Sequence, residues 1–135
     1  MKIKLLFATL ILCLFALTAS AQNGGKAEPL RLSFAKGKTS LTKADTLGKD
    51  QTFEMVFGAK AGQKVKIKIV STTPKGKFHY FTLLGDGFDF ATEYDKNYEY
   101  EFTAPNTGDY LLDVNFNGTS KVTKGKFALT LTITN

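Results

Sequence analysis

The chain has 135 residues, 18 Lys plus Arg against 12 Asp plus Glu, one His, one Cys and no Trp. A hydrophobic share of 43% with 13% aromatics excludes a disordered chain, and the length fits one domain after the leader described next. One His and one Cys leave no material for a zinc site built from three or four N/S ligands.

Residues 1–21 read as a secretory signal peptide. Met1-Lys2-Ile3-Lys4 is a short basic start, Leu5 to Thr18 is nearly all apolar, and Ala19-Ser20-Ala21 places small residues before a cleavage point at Gln22. The apolar run is too short, and lacks the charged far flank, for a transmembrane span. Cys13 leaves with the signal, because bulky Leu12 stands where a lipoprotein needs a small residue. The remaining 114 residues then hold no cysteine and rely on packing rather than disulfides. The expected compartment is the periplasm or the exterior, with no integral membrane segment after cleavage.

Residues 22–29 (QNGGKAEP) are polar and read as a flexible arm, and residues 30–135 as one all-β domain. From Leu30 the apolar period is two. Leu30, Leu32 and Phe34 alternate with Arg31 and Ser33, and Phe53, Met55 and Phe57 with Thr52, Glu54 and Val56. Val65, Ile67 and Ile69 oppose Lys64, Lys66 and Lys68, giving one apolar and one charged face. Phe78–Leu84, Tyr98–Phe102 and Tyr110–Phe116 are rich in aromatic and β-branched residues, and Phe127, Leu129, Leu131 and Ile133 alternate with threonines. Breakers separate these runs at 60–62, 74–76, 85–87, 105–108 and 117–118. The pattern predicts an antiparallel β-sandwich of seven to nine short strands.

Charge divides along the chain. Gln22–Lys77 holds twelve basic and four acidic residues, whereas Phe78–Phe116 holds one basic and eight acidic. Basic Lys64–Lys68 and acidic Glu99 and Glu101 are expected to pair across a sheet, which argues against a nucleic-acid face.

His79 is flanked by Phe78 and Tyr80 with no nucleophile motif nearby, so a structural role is expected. Asp86, Asp89, Glu93 and Asp95 offer oxygen ligands but lack the EF-hand spacing, and Gly85-x-Gly87 reads as a turn rather than a phosphate cradle. No metal or cofactor is assigned. Asn117-Gly118-Thr119 matches a glycosylation sequon, yet Asn-Gly reads first as a hairpin turn. Tyr94, Tyr98 and Tyr100 lie in an aromatic-dense middle and, if outward, would form a glycan-stacking platform. Such a small sandwich has little depth for a catalytic cleft, and no enzyme activity is expected.

Arg31-Leu32-Ser33-Phe34-Ala35-Lys36-Gly37-Lys38-Thr39-Ser40, Phe57-Gly58-Ala59-Lys60-Ala61-Gly62-Gln63-Lys64-Val65, Ala104-Pro105-Asn106-Thr107-Gly108-Asp109-Tyr110 and the closing Phe127-Ala128-Leu129-Thr130-Leu131 together carry a resemblance. From Leu30 to Ile133 the chain resembles the periplasmic inhibitors of g-type lysozyme. Its P-x-x-G-x-Y segment is shared with the wider pre-peptidase C-terminal β-sandwich group. The resemblance implies a secreted inhibitor whose loops at one end plug the groove of a g-type lysozyme. In that family one loop contributes a tyrosine and the other is rich in arginine. By position these are Leu47–Asp50, with no tyrosine, and Asn117–Gly125, with no arginine. The partner-binding residues implied here are Lys49, Asp50, Asn117, Thr119, Ser120, Lys121 and Lys124. Lysines supply charge without a bidentate fork. The alternative expectation is a binding module for glycan or another extracellular polymer.

Overall fold

A computed structural model of the chain describes residues 28–72, 77–92 and 97–135, with backbone alone at 77–81. The expected signal peptide, nearly all of the arm, Glu93, Tyr94, Asp95 and the His79 side chain therefore lie outside the described residues. Among those described there are nine strands and no helix. They are β1 (Leu30–Arg31), β2 (Ser40–Gly48), β3 (Thr52–Ala59), β4 (Lys64–Ser71), β5 (Lys77–Gly85), β6 (Phe88–Thr92), β7 (Asn97–Thr103), β8 (Gly108–Asn117) and β9 (Lys124–Thr134).

They form two sheets, ordered β1-β3-β8-β5-β6 and β2-β9-β4-β7. All pairings are antiparallel except the two-residue β1 against β3. The period-two pattern explains the layering. Phe53, Met55 and Phe57 of β3 and Tyr110, Leu112, Val114 and Phe116 of β8 line the inner face of one sheet. Val65, Ile67 and Ile69 of β4, with Phe127, Leu129, Leu131 and Ile133 of β9, line the other. Aromatic contacts tie the layers together, with Phe53 edge-on to Phe127 at 5.9 Å and Phe88 stacked on Phe102 at 4.4 Å between ring centroids. These rings bring area burial and favourable quadrupole geometry to the same contact.

Across the outer face of β4 and β7, Lys66 lies opposite Glu101 and Lys68 opposite Glu99. Lys66 Nζ reaches Glu99 Oε1 diagonally at 2.7 Å, so the expected cross-sheet charge pairing is present.

Strand β2 departs from the expectation, since the sequence there shows no clean alternation. Its register puts Lys43 opposite Leu129 and Asp45 opposite Phe127, so two charged residues face inward between Leu41 and Leu47. They answer each other, with Lys43 Nζ 3.8 Å from Asp45 Oδ2 and both side chains partly exposed. β2 is an edge strand, and inward charge is one way an edge is kept from recruiting another strand.

Residues 85–88 turn, with Gly87 at φ 68°, and Phe88–Thr92 forms edge strand β6. Asp86 sits on the turn and Asp89 on the strand, and the described residues contain no group of three or more side chains placed to hold a metal. In β5 the register shifts between Phe78 and Tyr80, placing His79 at a bulge.

Candidate functional site

Two connections meet at one end of the sandwich. Residues 49–51 join β2 to β3, and residues 118–123 join β8 to β9. Each passes from one sheet to the other, because β2 and β9 share a sheet while β3 and β8 share its partner. Asn117-Gly118 is therefore not a hairpin turn. The strands it separates lie in different layers, and the six intervening residues span the gap between sheets, about 10 Å.

The first connection is a tight turn. Gln51 N donates to Gly48 O (3.1 Å), and Gly48 N donates to Gln51 Oε1 (2.8 Å). Asp50 occupies the left-handed region at φ 58°, which Asp tolerates better than most residues. The second connection is held by Thr119. Its backbone N–H donates to Val122 O (2.9 Å), and its hydroxyl accepts from the N–H of Val122 (3.0 Å) and of Lys121 (3.3 Å). Thr119 thus shapes the loop with its own hydroxyl.

One bond joins the two turns, Lys49 N donating to Thr123 O (2.8 Å), and two tie the first turn to β8, Asp50 N donating to Phe116 O (3.0 Å) and Phe116 N to Gln51 O (3.1 Å). Asn115 Nδ2 adds bonds to Gln51 O (3.3 Å) and Thr52 Oγ1 (3.0 Å). Gly118 lies under the Lys49 side chain, since a Cβ there would come within 2.7 Å of Lys49 Cγ and 2.8 Å of Val122 O. Lys49, Asp50, Asn117, Thr119, Ser120, Lys121 and Lys124 are all exposed on this shared surface, which carries three ammonium groups and one carboxylate. The structure brings the seven expected residues together. Sequence reasoning missed Gln51 and half-buried Val122, which packs against the core and anchors the loop. The single apolar residue in a polar connection was the available signal.

The tyrosine platform is not formed at 98 and 100. Both positions fall on the inner side of β7, opposite Ile69 and Ile67, while Glu99 and Glu101 take the outer side. Tyr100 is stacked on Phe90 at 3.9 Å and 9°, so one ring face is already covered. Desolvation raises the pKa of its phenol, with Tyr98 adding to the shift. The strand's alternation, with Phe102 in the core, commits both rings inward. Tyr94, the third member, lies outside the described residues.

The P-x-x-G-x-Y segment is a structural device. Buried Tyr110 donates its hydroxyl to Asn106 O at 2.7 Å, closing a tyrosine corner where the chain enters β8.

This architecture has solved counterparts. The periplasmic g-type lysozyme inhibitor PliG of Aeromonas hydrophila superposes with a TM-score of 0.63 at 21% identity, over 78% of this chain and 96% of its own. The fold is the one those inhibitors have. PliG of Salmonella Typhimurium gives a TM-score of 0.59 at 21% identity, over 81% of this chain and 100% of its own. The pre-peptidase C-terminal domain of Bacillus anthracis collagenase gives 0.58 at 17% identity, over 77% and 94%. These neighbours match both the family and the wider group that the motifs resemble. No family model matches the sequence, and no curated protein matches it by sequence.

Proposed function

We propose that the chain is a non-catalytic, exported inhibitor of g-type lysozyme, acting in the periplasm through the end surface built by residues 49–51 and 117–124. The carrying observation is the joining of the two connections by Lys49 N to Thr123 O, with the first also fixed to β8 by Asp50 N to Phe116 O. A plug needs this preorganisation, because loops already fixed lose little further entropy on binding. The fold shared with PliG supports the same reading. Lysozyme grooves work with carboxylates, and Lys49, Lys121 and Lys124 present complementary charge where the family uses arginine.

The test is a titration of residues 22–135 into a g-type lysozyme clearing a cell-wall suspension, with c-type and i-type lysozymes alongside. Stoichiometric loss of g-type activity alone is the expected result. Replacing Lys121 and Lys124 together with Ala should weaken the complex at least tenfold, about 1.4 kcal/mol. Unchanged affinity would remove the lysines from the mechanism, and no inhibition at micromolar excess would refute the reading.

A further inference from the structure

Three of the motifs shared with the inhibitor family converge at the opposite end of the sandwich, and the proposed inhibitory surface uses none of them. The turn of Ala35–Lys38, the Lys60–Gln63 turn and the start of β8 surround an open groove. Its first part, about 330 Å³, is walled by Phe34, Ile133, Lys38, Thr39, Gln63 and Thr134. A second open hollow of about 340 Å³, which shares Gly58 and Gln63 in its lining, lies beside it at Lys60 and Thr107. These volumes lie at the small end of ligand sites, suited to one or two rings rather than a polymer cross-section.

Turn chemistry accounts for some of these residues but not all. Gly62 is needed at φ 87°, and Gln63 Oε1 accepts from Lys60 N at 2.9 Å. Gln63 Nε2 also donates to Asn135 Oδ1 at 3.0 Å, so the amide is fixed while one N–H and one lone pair remain for a ligand. Phe34 is half-buried against the core and shows the groove only its remaining surface, and no turn requires Lys38 as a side chain. Glycine at 58 leaves the junction of the two parts clear, where a larger side chain would stand in the groove.

Lys38 and Lys60 are the charged bases in its walls, and the rim carboxylate Asp109 is engaged by Arg31. The walls combine an aromatic and an aliphatic side chain with two hydroxyls and an amide. That mixture matches a ligand with an apolar face and a hydroxylated edge, and the ammonium of Lys38 matches an anion. We infer that this groove is a binding site for a pyranose carrying a carboxylate, with Lys38 facing the charge, Gln63 the ring hydroxyls and Phe34 the ring face.

The test is a two-dimensional amide NMR titration of the purified protein. Glucuronic acid and N-acetylmuramic acid serve as acidic probes, glucose and N-acetylglucosamine as neutral ones, and acetate as a bare carboxylate. Saturable shifts at Lys38, Gly58 and Gln63 are expected with the acidic sugars, at least tenfold stronger than with the neutral sugars or acetate. Lys38→Gln, at an exposed position that leaves the fold intact, should abolish the preference for acidic sugars. Absence of saturable shifts there, equal affinity for neutral sugars, equal affinity for acetate, or a preference surviving in Lys38→Gln would each overturn the assignment.

Discussion

Gly125→Ala tests how the candidate end surface is seated on the core. Gly125 is buried in β9 opposite Leu47, and a Cβ there would fall closer than 3.0 Å to Cδ2, Cε2 and Cγ of Phe116, where ordinary contact begins at 3.4 Å. Phe116 is itself fully buried, and its backbone holds the 49–51 turn, so the ring has little room to retreat. Overpacking of this kind costs about 1–3 kcal/mol, against a gain of about 0.4–1 kcal/mol from the stiffer unfolded chain. A net loss of roughly 1–2 kcal/mol corresponds to a fall in Tm of about 5–10 °C for a domain of this size. Gly108→Ala is the internal control, because nothing lies within 4 Å of a Cβ at that position and its φ is unstrained. It should raise Tm by a few degrees or leave it unchanged. Calorimetry of the two variants decides the matter. Equal Tm values would show that Phe116 does not press on Gly125, and the packed base of the end surface would have to be abandoned.

Tyr110→Phe removes the hydroxyl from the tyrosine corner and should cost about 1 kcal/mol, read by urea denaturation with an unchanged m-value. Asp113 lies opposite Glu54 with Oδ1 buried and unpartnered among the described residues, and desolvation raises its pKa above 3.8 more than the Thr82 bond lowers it. The folded chain therefore takes up this proton before the unfolded chain does, and stability from this group rises as pH falls through the folded value towards 3.8. Asp113→Asn should remove that segment of the pH–stability curve and raise neutral-pH stability by up to about 1 kcal/mol; a lower Tm at pH 7 would refute this. Converting both Lys43 and Asp45 to Val should leave the core folded but promote association through β2, seen as concentration-dependent mass in light scattering. A monomer at every concentration would count against edge protection by these charges.

The strands that were legible in the sequence are those whose burial is one-sided and clean. Val65-Lys66-Ile67-Lys68-Ile69 in β4 and Phe127 to Ile133 in β9 display both faces in their spelling. β2 was hidden because an edge position tolerates Lys43 and Asp45 on the inner side, so edge protection erased the alternation that marks a strand. Asn117-Gly118 carried the local signature of a hairpin, but a turn dipeptide says nothing about which sheet the next strand joins. The candidate surface was legible as two separate loops, and the long-range bond that joins them was not. Whether Tyr98 and Tyr100 face outward was not legible, because that sense depends on the register with Ile69 and Ile67.

The central place of β9 governs how this chain can reach its fold. β9 lies between β2 and β4, pairing Ser40 with Thr132 and Lys64 with Thr134 across most of the chain. The sheet it completes is thus missing its middle until the final strand arrives. Such non-local pairings bear the loop-closure cost before any reward and make folding slow. A fragment ending before Lys124 would leave β2 and β4 with bare edges and the inner faces of Phe53 and Phe116 uncovered. The two sheets consequently stand or fall together, with the eleven residues of β9 acting as the keystone.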